Sequence, residues 1–194
     1  YRVAAGASTV IVISLLIRRS KVFEIIKQNI SLRILGGLSL ATYMLGFSLA
    51  YLKLDAGLGT LLLFGSVQLT MFTASIMMKE VLTLRRIIGA VVALSGLIWL
   101  LLPEGKILLP LGAVTAMVIA GIGWGCYSLL GRKATDPIPE TALNFCVALM
   151  ICVTVIVLFP MPDPKSMDQT GLLLAIISGA ITSGCGYSLW YTIL

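Results

Sequence analysis

The sequence predicts an all-α integral membrane protein, a helical bundle of seven visible spans drawn from an inverted 5+5 transmembrane repeat. Three observations lead there. Hydrophobic residues make up 59% of the 194 residues and charged residues 11%, whereas soluble domains carry roughly 25% charged residues. Apolar runs of membrane-crossing length follow one another with only brief turns between them. Finally, the segment Thr42 to Leu54 (TYMLGFSLAYLKL) is echoed by Thr182 to Leu194 (TSGCGYSLWYTIL), with Thr, Gly, Ser, Leu, Tyr and Leu coinciding at a constant offset of 140 residues.

A bilayer-crossing helix needs roughly 20 apolar residues. Seven stretches qualify: 3–17, which is short, then 33–52, 56–78, 86–102, 107–130, 141–159 and 170–194. Turn formers collect between them, as in Pro103, Glu104 and Gly105, in Asp136, Pro137 and Pro139, and in Pro160, Pro162, Asp163 and Pro164. No proline lies well inside a span, and glycines are frequent there, as close helix packing requires. The connection 18–32 is the longest, and the spacing of Val22, Phe23, Ile25, Ile26 and Ile30 suits a short interfacial helix. The first residue is Tyr1, so a preceding segment is expected. Residues 3–17 do not read as a signal peptide, because the basic cluster Arg18, Arg19, Lys21 follows them.

Basic residues orient the spans. Alternate loops hold Arg18, Arg19, Lys21, Lys27 and Arg33, then Lys79, Arg85 and Arg86, then Arg132 and Lys133; the other face has Arg2, Lys53, Lys106 and Lys165. Ten against four places the loops 18–32, 79–86 and 131–140 in the cytoplasm by the positive-inside rule. The net charge of +6 is thereby explained by topology, and nucleic acid is not an expected partner. The copies at Thr42 and Thr182 lie five spans apart, so they run in opposite directions. The same offset lays the first span over 143–157, the sixth. An inverted repeat of five-span units is the simplest reading.

Several chemistries are excluded or disfavoured. The chain has no histidine, so a Ser-His or Cys-His pair and any His metal ligand are absent. Cys126, Cys146, Cys152 and Cys185 sit in apolar runs without CxxC spacing and read as small hydrophobes. No Asp, Glu, Lys or Arg lies deep in a span, since Arg33, Lys53 and Glu80 are at ends, which counts against a visible proton relay. Neither a catalytic site nor a cofactor or metal is expected.

In its order of motifs the chain resembles the drug/metabolite transporter superfamily, specifically ten-span transporters of the EamA type. The resemblance is carried by Gly59 to Leu102, where an apolar span, Glu80, a Leu-Thr pair and a Gly-rich span follow in family order. Gly121 to Gly131 (GIGWGCYSLLG) and Gly179 to Leu194 (GAITSGCGYSLWYTIL) continue it. It implies a first repeat over 1–102 and a second over 107–194, with one span before Tyr1 and two after Leu194. It also implies a secondary transporter of small organic metabolites, an exporter, in the bacterial inner membrane.

Polar and aromatic residues inside the spans are the site candidates. Gln68 lies near the middle of the third span on one helical face with Phe64, Met71 and Ser75. A substrate or an interhelical hydrogen bond would satisfy its amide equally well. Tyr43, with Ser39 and Gly46 on its face, lines a cavity or packs between helices. Trp124, flanked by Gly121 and Gly125, belongs to a cavity or to the interfacial aromatic belt. Ser183, beside Thr182 and among Gly179, Gly184 and Gly186, suits close packing at a repeat interface as well as substrate contact. Tyr127, Tyr51, Trp190 and Tyr191 read as interface anchors, and Glu80 as a salt-bridge or helix N-cap residue. The substrate-binding set is therefore Tyr43, Gln68, Trp124 and Ser183. The expected partners are the lipid bilayer and an amino acid, amine or drug-like substrate, while a homodimer stays open. A receptor-like seven-helix protein and an inactive fragment are the alternatives. The span 170–194 contains no lysine for a retinal Schiff base.

Overall fold

The computed structural model describes residues 1–18, 30–101, 110–134, 136–159, 169–186 and 189, and the statements below concern those residues. They form helices and no strands. In order these are α1 (Arg2–Arg18), α2 (Ile30–Ala50), α3 (Ala56–Met77), α4 (Leu84–Leu101), α5 (Leu111–Gly131), α6 (Pro137–Leu158) and α7 (Gln169–Ile177), the last continuing as a π-helix over Ser178–Cys185. A helix thus occupies each predicted span. Four of them, Ile30–Ala50, Ala56–Met77, Leu111–Gly131 and Ile138–Leu158, are long and apolar enough to cross a membrane. At 1.5 Å per residue, 21 or 22 residues reach about 32 Å, against a hydrocarbon core of about 30 Å.

The exposed faces support the same conclusion. Val91, Val92 and Trp99 on α4, and Val153, Ile156 and Val157 on α6, point outward as contiguous apolar stripes. Soluble monomers rarely display such stripes. Many hydroxyls inside the helices bond to their own backbone. Thr9, Ser48, Thr60, Ser66, Thr70, Ser128 and Thr154 each donate to the carbonyl four residues back, which removes a donor that hydrocarbon would leave bare.

Helix ends follow local chemistry. Asp136 precedes α6 with an extended backbone, and Pro137 takes the first helical position, where its missing N–H costs nothing. The helix therefore starts four residues earlier than the apolar run suggested and takes Pro139 and Glu140 into its first turn. At the other end of α3, Lys79 adopts φ 55°. The Glu80 N–H reaches back to the Ser75 carbonyl at 2.9 Å, closing a Schellman-type cap. Glu80 also accepts from the Ser75 hydroxyl at 3.0 Å. Glu80 thus takes part in the cap at the C-terminus of α3.

The chain divides into two compact units, Tyr1–Ala41 with Leu130–Leu194, and Thr42–Leu129. In the first unit, α1 runs parallel to the π-helix. Gly179 sits against the Arg2 carbonyl and Ala5, Gly6 against Ser183, and Gly184 against Thr9. The first half of α2 runs parallel to α6: Arg33 meets Glu140, Gly36 meets Asn144 and Gly37 meets Val147. In the second unit α5 is central. Gly46 on α2 packs on Ala116 and Ala120, antiparallel, while Gly121 and Gly125 receive Ser66 and Thr70 of α3, parallel. Within each unit the pairs that lie an even number of steps apart along the chain run parallel, and α2 and α5, three steps apart, run antiparallel.

The interfacial helix expected within 18–32, the turns at 103–105 and 160–164, and Arg19, Lys21, Lys27, Lys106, Lys165, Trp190 and Tyr191 fall outside the described residues. So does most of the second copy of the echo.

Candidate functional site

In the second unit the aromatic residues of α2 form a ladder at four-residue spacing. The Tyr43 ring lies tilted against Phe47 at 5.6 Å, and Phe47 meets Tyr51, just past the end of α2, at 4.6 Å. Tyr43 in turn meets the Trp124 indole edge-on, with centroids 4.7 Å apart, and Trp124 tilts against Tyr127 at 6.3 Å. The structure thus brings together two of the four candidates, Tyr43 and Trp124. Gly46 explains how: without a side chain it lets α2 close on Ala116 and Ala120 of α5. The Trp124 indole is half-buried among aromatic rings, an arrangement unlike that of a belt residue. Tyr127 was expected in the belt and is instead 2% exposed, one of the largest buried side chains. Tyr51, also expected as an anchor, hydrogen-bonds across the α2–α3 turn to Thr60 Oγ1 at 3.2 Å, and its ring covers Gly59.

Gln68 lies elsewhere on α3. The face bearing Leu63, Ser66 and Thr70 is pressed on α5. Gln68 occupies the face toward α4 and lines a cavity of about 480 Å³ with Phe64, Met71 and Phe72 on α3 and Leu94 on α4. The shared face of Phe64, Gln68 and Met71 is as the helical spacing predicted. Ser75 is drawn to Glu80 at the cap. Gln68 has no hydrogen-bond partner among the described residues, and unlike the hydroxyls beside it, its amide is not tied to its own helix.

Ser183 belongs to the first unit. It is 4% exposed, on the π-helix face that receives Gly6 of α1. Thr182 beside it is exposed and bonds back to the Ser178 carbonyl. The π-helical turns, which recur at functional sites, here carry Gly179 and Gly184 onto α1.

One polar feature was not anticipated. Arg33 Nε lies 3.2 Å from Glu140 Oε2 and a second guanidinium nitrogen 3.5 Å from Oε1, with side chains 6% and 18% exposed. One turn along α6, the Asn144 amide presses on the Gly36 backbone, its Oδ1 buried and without a partner. The reading of 131–140 as a loop hid this pair. The Asp-Pro signal for a helix start at Pro137 was the cue that places Glu140 in a helix. Among the described residues the cysteines are free thiols, and no three His, Cys, Asp or Glu side chains gather as metal ligands.

Comparison with known proteins gives one informative similarity. The chain is 42% identical over 159 residues, 82% of its length, to the uncharacterized protein PA1977 of Pseudomonas aeruginosa. It spans about half, 54%, of that relative. No family model matches, and no solved structure does.

Proposed function

We propose that the protein is a secondary transporter of small organic molecules, built from two inverted repeats of five spans in the manner of the drug/metabolite transporter superfamily. It works as an exporter in a bacterial inner membrane, with the loops 18–32, 79–86 and 131–140 in the cytoplasm. The observation that carries this reading is a duplicated contact in the first unit. An offset of 140 carries residue 6 to 146, and residues 179 and 183 to 39 and 43. The parallel pair formed by α1 and the π-helix is thereby laid on the parallel pair of α6 and α2. There Gly36 meets Asn144 and Gly37 meets Val147, the same arrangement within about one helical turn of register. The contact of Gly6 with Phe145 is carried onto 146 and 5, its own neighbours, as a contact on a twofold axis must be. Inverted repeats of this kind are the architecture of alternating access.

Other observations agree. Glycines line both pairs, so the helices approach closely, as such repeats require to slide or rock. The relative continues well beyond the matched stretch, which leaves room for the three further spans of a ten-span protein, and it comes from a bacterium. Tyr43, Trp124 and Gln68 are the substrate-facing residues in this reading, while Ser183 acts at the contact between repeats. Counterflow in proteoliposomes across a panel of amino acids, amines and drug-like solutes tests it. Accumulation above empty vesicles for at least one solute is expected. No accumulation of any, by a protein that retains its helical circular dichroism, would refute transport.

A further inference from the structure

We infer that the cavity between α3 and α4 binds uncharged amphipathic molecules, with an aromatic or branched body and one carboxamide-like polar group, and that Gln68 selects them. Resting on the transport reading for its biological use, this assignment names a substrate class that the sequence left open among amino acids, amines and drug-like compounds. The cavity holds about 480 Å³, within the roughly 300–1,000 Å³ of small-molecule sites. Phe64 and Phe72 stand two turns apart on α3, with Met71 between them and Leu94 opposite on α4. These walls suit a ring or a branched chain.

Polarity decides the class. Among the described residues no ionisable side chain lines the cavity. Past the C-terminus of α3 the nearest charged residues in sequence to Gln68 are Lys79 and Glu80, and the helix end at Met77 is itself about 14 Å along the axis from Gln68. On α4 the nearest is Arg86, about 10 Å from Ala93 on the wall. An ammonium or a zwitterion would enter without a counter-ion, at a cost of several kcal/mol per charge. The hydroxyls of Ser66 and Thr70 give their protons to the Leu62 and Ser66 carbonyls and lie on the α3 face toward α5, away from Gln68. Gln68 is left with two donors and one acceptor near mid-span. Facing hydrocarbon, an unpartnered amide there would be costly. A ligand that offers one acceptor and one donor, as a carboxamide does, satisfies it while its body fills the apolar walls.

The test uses the purified chain in lipid nanodiscs and three probes that share a phenylethyl body: 3-phenylpropanamide, phenethylamine and phenylalanine. Calorimetric titration should give 3-phenylpropanamide a Kd at least tenfold below the other two. Gln68→Leu should raise that Kd about tenfold while leaving the thermal midpoint unchanged. Gln68→Glu should invert the order and favour phenethylamine, an outcome that lost folding cannot imitate. Equal or tighter binding of the amine or the amino acid to the unaltered protein, a Gln68→Leu Kd within twofold, or no saturable binding of the amide would each overturn the assignment. The two readings fail separately. Selective amide binding without counterflow of any solute removes transport alone. Counterflow of a charged solute that is indifferent to Gln68 removes this assignment alone.

Discussion

Breaking the Arg33–Glu140 pair should be the costliest single change in the first unit. The two side chains are 6% and 18% exposed and meet through two guanidinium nitrogens and both carboxylate oxygens, at 3.2 and 3.5 Å. Arg33→Met removes the cation but leaves the Glu140 carboxylate nearly buried. Losing one partner of a buried pair costs about 3–5 kcal/mol, because the orphaned charge keeps its desolvation penalty. The N-terminal dipole of α6, in whose first turn Glu140 sits, stabilises the carboxylate by about 0.3–1 kcal/mol. A cost near the lower limit, about 3 kcal/mol, is therefore expected. In Arg33→Met/Glu140→Gln no charge is buried, so the loss should fall below that of Arg33→Met alone. Equilibrium unfolding in mixed micelles, followed by circular dichroism, gives all four corners of the double-mutant cycle. The coupling should exceed about 1.5 kcal/mol. A single-variant cost under about 1 kcal/mol, or a double variant that loses the sum of the two singles, would refute a desolvated pair.

Two further perturbations probe the packing and the cap. A Cβ at Gly46 would stand 2.6 Å from the Ala116 carbonyl oxygen, whereas Gly89 and Gly96 on α4 have nothing within 4 Å. Gly46→Leu should thus lower stability by about 1–3 kcal/mol, and Gly89→Ala or Gly96→Ala should raise it by about 0.5–1 kcal/mol through helix propensity. Thermal unfolding in detergent reads both, and a Gly46→Leu midpoint equal to the parent's would contradict the α2–α5 contact. Lys79→Gly should stabilise the protein by about 0.5–1 kcal/mol. It relieves a left-handed residue that costs roughly 1–2 kcal/mol and gives up a cation at a helix terminus valued at about 0.3–1 kcal/mol. Destabilisation in the same assay would show that the lysine's charge outweighs its backbone strain.

The sequence carried the spans because hydrocarbon imposes one strong rule, that a backbone crossing it must satisfy itself, and apolar length records that rule residue by residue. Directions were legible for a related reason. The basic loops predicted that span direction alternates, and the helix pairs of each unit run parallel or antiparallel accordingly. What stayed hidden was sideways contact. Tyr127 and Trp124 read alike as aromatics near a span end, and only the approach of α2 to α5 at Gly46, which brings Tyr43 against Trp124, sets their surroundings. Gln68, two positions before Thr70 on the same helix, faces α4 because the helical turn puts it on another side of α3 from Thr70. Glu140 was hidden by a boundary of four residues. Counted as loop it is a solvated charge; counted in the first turn of α6 it is a buried anion that needs Arg33, 107 residues away. Hydropathy reports how much each residue avoids water, but not which neighbour it meets. The same limit explains why the proposed ligand class rests on the residues of the cavity wall. Which face of α3 carries the glutamine, and what lines that face, is a matter of neighbours that hydropathy does not record.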